Sequence, residues 1–199
     1  LAPNSIVGCG IEMAPEAEWS GVKAKYELPD EYVLYLGRVS KAKVDKLLPY
    51  FLRCKAKYGG DAKLVLVGGF ENEIRKFDSP DILFTGYVSD EEKTAIVRHA
   101  TVMVNPSPME SLSLLMLEGM QSRIPLLVNG RSKVMKDHCR LSGAGLWYNN
   151  GRDFRKKLHR LLSDPELRRT MSEKGPAYVR EHYDWEIIIP KLRTLIESI

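Results

Sequence analysis

Short apolar runs rich in β-branched and aromatic residues recur along this chain, and stretches of helical periodicity separate them. Tyr32–Gly37, Lys63–Gly68, Ile82–Phe84, Thr101–Asn105, Pro125–Val128 and Leu146–Tyr148 read as strands. Most are apolar on both faces, as in the central strands of a parallel sheet covered by helices. Between them, Val44, Leu47, Leu48, Phe51 and Leu52 fall at helical spacing. Ser89 and Glu92 spell a capping box ahead of Ile96, Val97 and Ala100. Asp164-Pro165 supplies an N-cap and a proline for the first turn. Asp184 opens a last helical segment that Pro190 is expected to break or kink. Such an alternation buries its apolar surface as an α/β fold, a doubly wound parallel sheet with helices on both faces. Residues 1–31, with Pro3, Pro15, Pro29 and no strong period, read as a linker or lead-in. The domain proper is expected over residues 32–199.

The chain has 199 residues, 44% of them hydrophobic. That is enough for a core and excludes a disordered chain. No run approaches about 18 apolar residues, so no membrane-spanning helix is expected. The first residue is Leu1 rather than Met, and no basic stretch leads into an apolar run. The expectation is a piece of a longer chain without a secretion signal. Thirty basic residues against 26 acidic ones give a net charge of +4, which suits an anionic small ligand or an anionic membrane surface. No clustered basic stripe or nucleic-acid motif occurs, so nucleic acid is not an expected partner. Cys9, Cys54 and Cys139 are widely spaced and form no CxxC, which points to a reducing cytoplasm. His99, His138, His159 and His182 have no partner at zinc spacing, so no metal is expected.

Ligands of such sheets sit beyond the carboxyl ends of the strands, where the strand order reverses. The loops after the strands therefore carry the functional signal. Gly37-Arg38-Val39-Ser40-Lys41-Ala42-Lys43 joins a glycine, the start of a helix and three cations. Read alone, it is either a diphosphate site or a solvated basic turn. Val67-Gly68-Gly69-Phe70 and Gly86-Tyr87-Val88 are further glycine turns. Neither a GxGxxG after a strand nor a Walker A sequence is present, which argues against NAD and ATP. In Asn105 to Met120, two prolines keep the strand exit extended, and a helix is expected to begin near Ser111. That helix is apolar nearly all round, yet Glu118 sits in its middle and Glu110 just before its first turn. Eight residues of helix return to within about 80° of the starting direction. Both carboxylates are thus expected in one crevice, roughly 10 Å apart along the axis. The N–H groups of Ser111, Leu112 and Ser113 would suit a phosphate. Glu110 reads as a helix cap or a ligand group, and Glu118 as the partner of a core cation or a ligand group.

Taken together, these residues resemble a known family. Glu110-x7-Glu118, introduced by a Pro-Ser and followed by Met120 and Ile124-Pro125, resembles the E-x7-E segment of retaining glycosyltransferases of family 4. Tyr35-Leu36-Gly37-Arg38-Val39-Ser40 looks like their "LGR" strand end, and Lys43 like the lysine of their "EKG" turn. Leu64 to Gly68, Phe84 to Ser89 and Tyr183 to Glu186 fall in the same order, so the likeness runs from about residue 31 to 188. Three segments differ: Ser111-Leu112-Ser113 stands where the family has a Gly-Phe-Gly-like run, the turn before Lys43 is one residue short, and Gln121-Ser122-Arg123 replaces a small Ala-Cys-Gly.

The resemblance implies the C-terminal, donor-binding half of a GT-B enzyme, whose two Rossmann-like halves face each other across a cleft. Ile6 to Glu12 looks like the linker leaving the other half, which would hold the acceptor sugar or lipid. The implied activity moves a hexose from a nucleoside-diphosphate sugar, with mannose and glucose both open. Arg38 and Lys43 would neutralise the donor diphosphate. Glu118 would bind the ribose, and Glu110 a sugar hydroxyl near the reacting carbon. Backbone groups at Gly37, Gly68, Ser111, Leu112 and Ser113 would approach the donor, and those at Val88 its base. The implied catalytic set is Glu110, Arg38 and Lys43, with no cofactor and no metal. The implied location is the cytoplasm, with the inner membrane face open to the full protein. Two other readings stay open: a non-catalytic nucleotide-binding regulatory module, and a sugar-nucleotide epimerase of the same fold.

Overall fold

The computed structural model describes residues 8–71 and 79–197. Chain order is α1 (Trp19–Tyr26), β1 (Tyr32–Leu36), α2 (Lys41–Val44), α3 (Leu47–Tyr58), β2 (Lys63–Val67), β3 (Ile82–Gly86) and α4 (Asp90–Arg98). Then follow β4 (Val102–Asn105), α5 (Leu114–Gln121), β5 (Leu126–Asn129), α6 (Lys133–Ser142), β6 (Gly145–Tyr148), α7 (Gly151–Ser163), α8 (Pro165–Tyr183) and α9 (Trp185–Glu197). All strand pairs are parallel, in the order β3-β2-β1-β4-β5-β6. The order reverses between β1 and β4.

Each strand sends alternate side chains to opposite faces. Tyr32, Leu34, Val65, Val67, Met103 and Leu126 join one core with α1, α4, α5 and α6. Val33, Tyr35, Leu64, Leu66, Val104 and Leu127 join the other with α3 and α7. The expected doubly wound sheet is therefore present, its strand limits within two residues of those expected.

The lead-in differs from expectation, because Trp19–Tyr26 is helical and its Val22 is buried in the core. Glu18 caps this helix by accepting from Ser20 and Gly21 N–H. Lys25 and Tyr26 then bind Glu92 of α4, the residue that also completes the Ser89 capping box. The Lys25 ammonium and the Ser89 N–H hold the Glu92 carboxyl well below the usual range, at about 2. Ile6 and Val7 lie outside the described residues. The helix α9 also runs through Pro190 instead of stopping there. Proline removes one bond to the carbonyl of Glu186, an exposed residue, so the loss falls on the solvent side of the helix.

Helix α5 ends in a Schellman arrangement: Arg123 N–H donates to Met120 O, and Ile124 N–H to Gly119 O. Arg123 occupies the left-handed position with φ 64°, where a glycine is free of strain. Arg123→Gly is expected to stabilise the domain by about 1 kcal/mol, measured as a shift of the urea midpoint at constant m. An unchanged or lower midpoint would mean that the Arg123 side chain compensates for its backbone.

Candidate functional site

The loops that leave β1 and β4 meet where the strand order reverses, and they line a cavity of about 250 Å³. Gly37, Arg38 and Lys43 form one wall; Asn105, Glu110, Leu112, Ser113 and Leu115 form the other. Gly37 and Gly68 end β1 and β2 with φ 132° and 130°, a region that favours glycine. Gly37 N–H donates to Val67 O and Gly68 N–H to Gly86 O, so the ladder continues past the strand ends. A Cβ on Gly68 would fall on the Gly37 carbonyl oxygen. The Tyr35 hydroxyl donates to Arg38 O at 2.9 Å and sets the turn from below. Burial, and then the Glu110 carboxylate, push the Tyr35 phenol up to about 12, so it stays a neutral donor at neutral pH.

The wall from β4 is braced by amides. Asn105 Oδ1 accepts from Ser107 N–H at 3.0 Å, and its Nδ2 donates to Ser113 Oγ at 3.1 Å. Asn129, at the end of β5, donates to Pro106 O. Helix α5 begins at Leu114 with Ser113 as N-cap, three residues later than the sequence suggests. Glu110 therefore lies in the loop, where it neither caps α5 nor obeys helical spacing to Glu118. The Leu114 and Leu115 N–H groups find no acceptor among the described residues. They, and not those of a first helical turn at Ser111, form the open end of α5. The short α2 offers less than its sequence promises, because Lys41 N–H is already taken by the Glu71 carboxylate at 3.2 Å.

Gly37, Arg38, Lys43, Glu110, Leu112 and Ser113 thus come together in one cavity. Gly68 packs directly beside Gly37, whereas Ser111 is exposed and Val88 packs on the core above β3. Glu118 is not part of the lining. Its Oε1 meets Lys93 Nζ of α4 at 3.4 Å, while its Oε2 is buried with no hydrogen-bond partner. One oxygen of Glu118 thus has a cation, and the other is uncompensated. Such an orphaned oxygen is costly unless something donates to it. The roles of Tyr35 and Asn105 as braces, and of Lys93 as the partner of Glu118, escaped the sequence reading, since the bonds to Arg38, Ser113 and Glu118 form only in the fold. Among the described residues, no cluster of three or more His, Cys, Asp or Glu could hold a metal ion. No described helix is long and apolar enough to cross a membrane.

Known proteins resemble this chain in sequence and fold. The alpha-D-kanosaminyltransferase of Streptomyces kanamyceticus is 30% identical over 174 residues, covering 80% of this chain and 44% of that protein. The glycosyltransferase 1 domain-containing protein 1 of Xenopus tropicalis is 26% identical over 65% of this chain and 36% of its own length. The chain thus spans less than half of these relatives. Sucrose-phosphate synthase of Thermosynechococcus elongatus superposes with a TM-score of 0.76 at 22% identity, over 96% of this chain and 51% of that one. The C-terminal domain of the Francisella tularensis group 1 protein LpcC gives 0.69 at 20% identity, over 86% of this chain and 95% of that domain. These superpositions place the fold as the Rossmann-like half of a GT-B architecture. The model of the family described as glycosyl transferases group 1 matches residues 21–178, a span that begins within α1, and the chain belongs to that family.

Proposed function

We propose that this chain is the donor-binding half of a retaining hexosyltransferase, acting on a nucleoside-diphosphate sugar. One observation carries the reading: at the reversal of strand order, Arg38 and Lys43 face the free N–H groups of α5 across the cavity. Two cations and a helix terminus together suit a diphosphate. A relative by fold, Anabaena HepE, has been solved with UDP and glucose and superposes with a TM-score of 0.73 at 14% identity.

In this reading Arg38 and Lys43 bind the diphosphate and stabilise the charge that grows on it as the sugar–phosphate bond breaks. The cations do this without a metal. Glu110 accepts from a sugar hydroxyl beside the reacting carbon. The unpaired Oε2 of Glu118 accepts from the ribose, and backbone groups near Val88 meet the base. The acceptor, a sugar or a lipid, is held by a further domain, as it must come within about 3–3.5 Å of the reacting carbon. Alone, the chain binds donor without transferring sugar. The free thiols of Cys9, Cys54 and Cys139 fit a cytoplasmic setting.

A thermal-shift series with UDP, GDP, ADP and their hexose conjugates tests the reading. A ligand at 100 times its Kd stabilises by about 2.7 kcal/mol, a rise in melting temperature of roughly 5–10 °C for a domain of this size. One base family is expected to produce that shift. If no nucleotide moves the transition, the cavity is not a donor site.

A further inference from the structure

The Ser113 hydroxyl is buried, with 5% of the residue exposed, and it holds an N-cap position without capping. Ser89, Ser132 and Asn150 each turn their side-chain oxygen to the N–H three residues on, as an N-cap normally does. Ser113 Oγ instead accepts from Asn105 Nδ2 at 3.1 Å. The Asn105 amide has a fixed sense, since its Oδ1 accepts from Ser107 N–H at 3.0 Å. Hydrogen counting follows. A hydroxyl has one proton and accepts through its lone pairs. With Asn105 donating to the oxygen, the Ser113 proton is left over, and no acceptor for it occurs among the described residues. Ser113 lies in the wall of the cavity that Arg38 and Lys43 line.

We propose that the side-chain O–H of Ser113, beyond the backbone role expected of this residue, donates to a diphosphate oxygen, and that Asn105 is its positioning residue. Asn105 draws the hydroxyl away from α5. This leaves two kinds of donor for one anion: the Ser113 O–H and the Leu114 and Leu115 N–H groups. A glycine at position 113 would offer the backbone alone. The inference rests on the nucleoside-diphosphate reading of this cavity and adds a side chain to it.

The test is calorimetric titration of the whole chain with UDP, GDP and ADP, with melting temperatures taken in parallel. Ser113→Ala is expected to lower affinity for the nucleotide that binds by about 10-fold or more, as for a bond to a charged group, while its melting temperature falls only by a few degrees, since Asn105 Nδ2 loses its acceptor. Ser113→Thr keeps the hydroxyl and is expected to keep the affinity. Asn105→Ala lets Ser113 swing onto the helix, so it too loses affinity. The Asn105→Ala/Ser113→Ala pair should lose no more than Ser113→Ala does, as expected for groups that act as one. Wild-type affinity in Ser113→Ala, or losses that multiply in the double variant, would overturn the inference and leave the donor reading standing. A wild-type chain that binds none of the three nucleotides would overturn both.

Discussion

Gly68→Ala is expected to destabilise the domain by about 3 kcal/mol, the sum of a strained backbone and an overpacked contact. Its φ of 130° lies where side chains rarely go, and the new methyl would meet the Gly37 carbonyl. That carbonyl cannot retreat, since Gly37 N–H is bonded to Val67 and the two strands run in register. For a domain of this size the melting temperature should fall by roughly 6–12 °C. Gly60 gives the comparison: its φ is 92°, but nothing lies within 4 Å of where a Cβ would sit. Gly60→Ala carries only the backbone part, about 1 kcal/mol. Equal melting temperatures for the two variants would show that the strand ends are not packed as described, and the cavity wall with them.

The second large effect falls on affinity. Arg38→Ala and Lys43→Ala should each weaken nucleoside-diphosphate binding by about 1.5–3 kcal/mol. Combined, the loss should reach roughly 10²–10⁴-fold if the two cations act independently. Both residues are exposed, so stability should stay within about 0.5 kcal/mol of wild type. Calorimetric titration separates the two readings of this turn that the sequence leaves open. A solvated basic turn would let both variants titrate like wild type.

The sheet was legible because most strands are apolar on both faces, and the helices α4 and α8 because their caps are spelled in residues. Helix α1 was not. Its cap is a glutamate instead of Ser, Thr, Asp or Asn, its apolar face is weak, and its hold on the domain comes from buried Val22, the stack of Trp19 on His99 and the bonds to Glu92, all made to residues far away in sequence. Helix α8 runs through Pro176, where Gly175 lets it close on the backbone of Met120. Local rules about proline cannot anticipate that contact. The turn at Gly37 and the cavity cations could be read from the chain, since glycine and charge act locally. The start of α5 could not. Ser111 and Ser113 are both plausible caps, and the brace from Asn105 belongs to the fold. The two glutamates show the same limit. Spacing of eight suggested a shared crevice, but the loop before Leu114 sends Glu110 to the cavity, while Glu118 faces Lys93.

The central claim is about place: a nucleoside diphosphate held between the β1 turn and the head of α5. A ¹H–¹⁵N chemical-shift titration of the chain with UDP, GDP and ADP addresses it directly. The amides of Gly37, Arg38, Lys43, Ser113, Leu114 and Leu115 are expected to move together, with Glu118 following through the ribose. A second cavity, of about 160 Å³, lies at the opposite ends of the strands beside Cys54, Tyr58 and His159. Shifts gathered there, with the β1 turn and the head of α5 silent, would contradict the account.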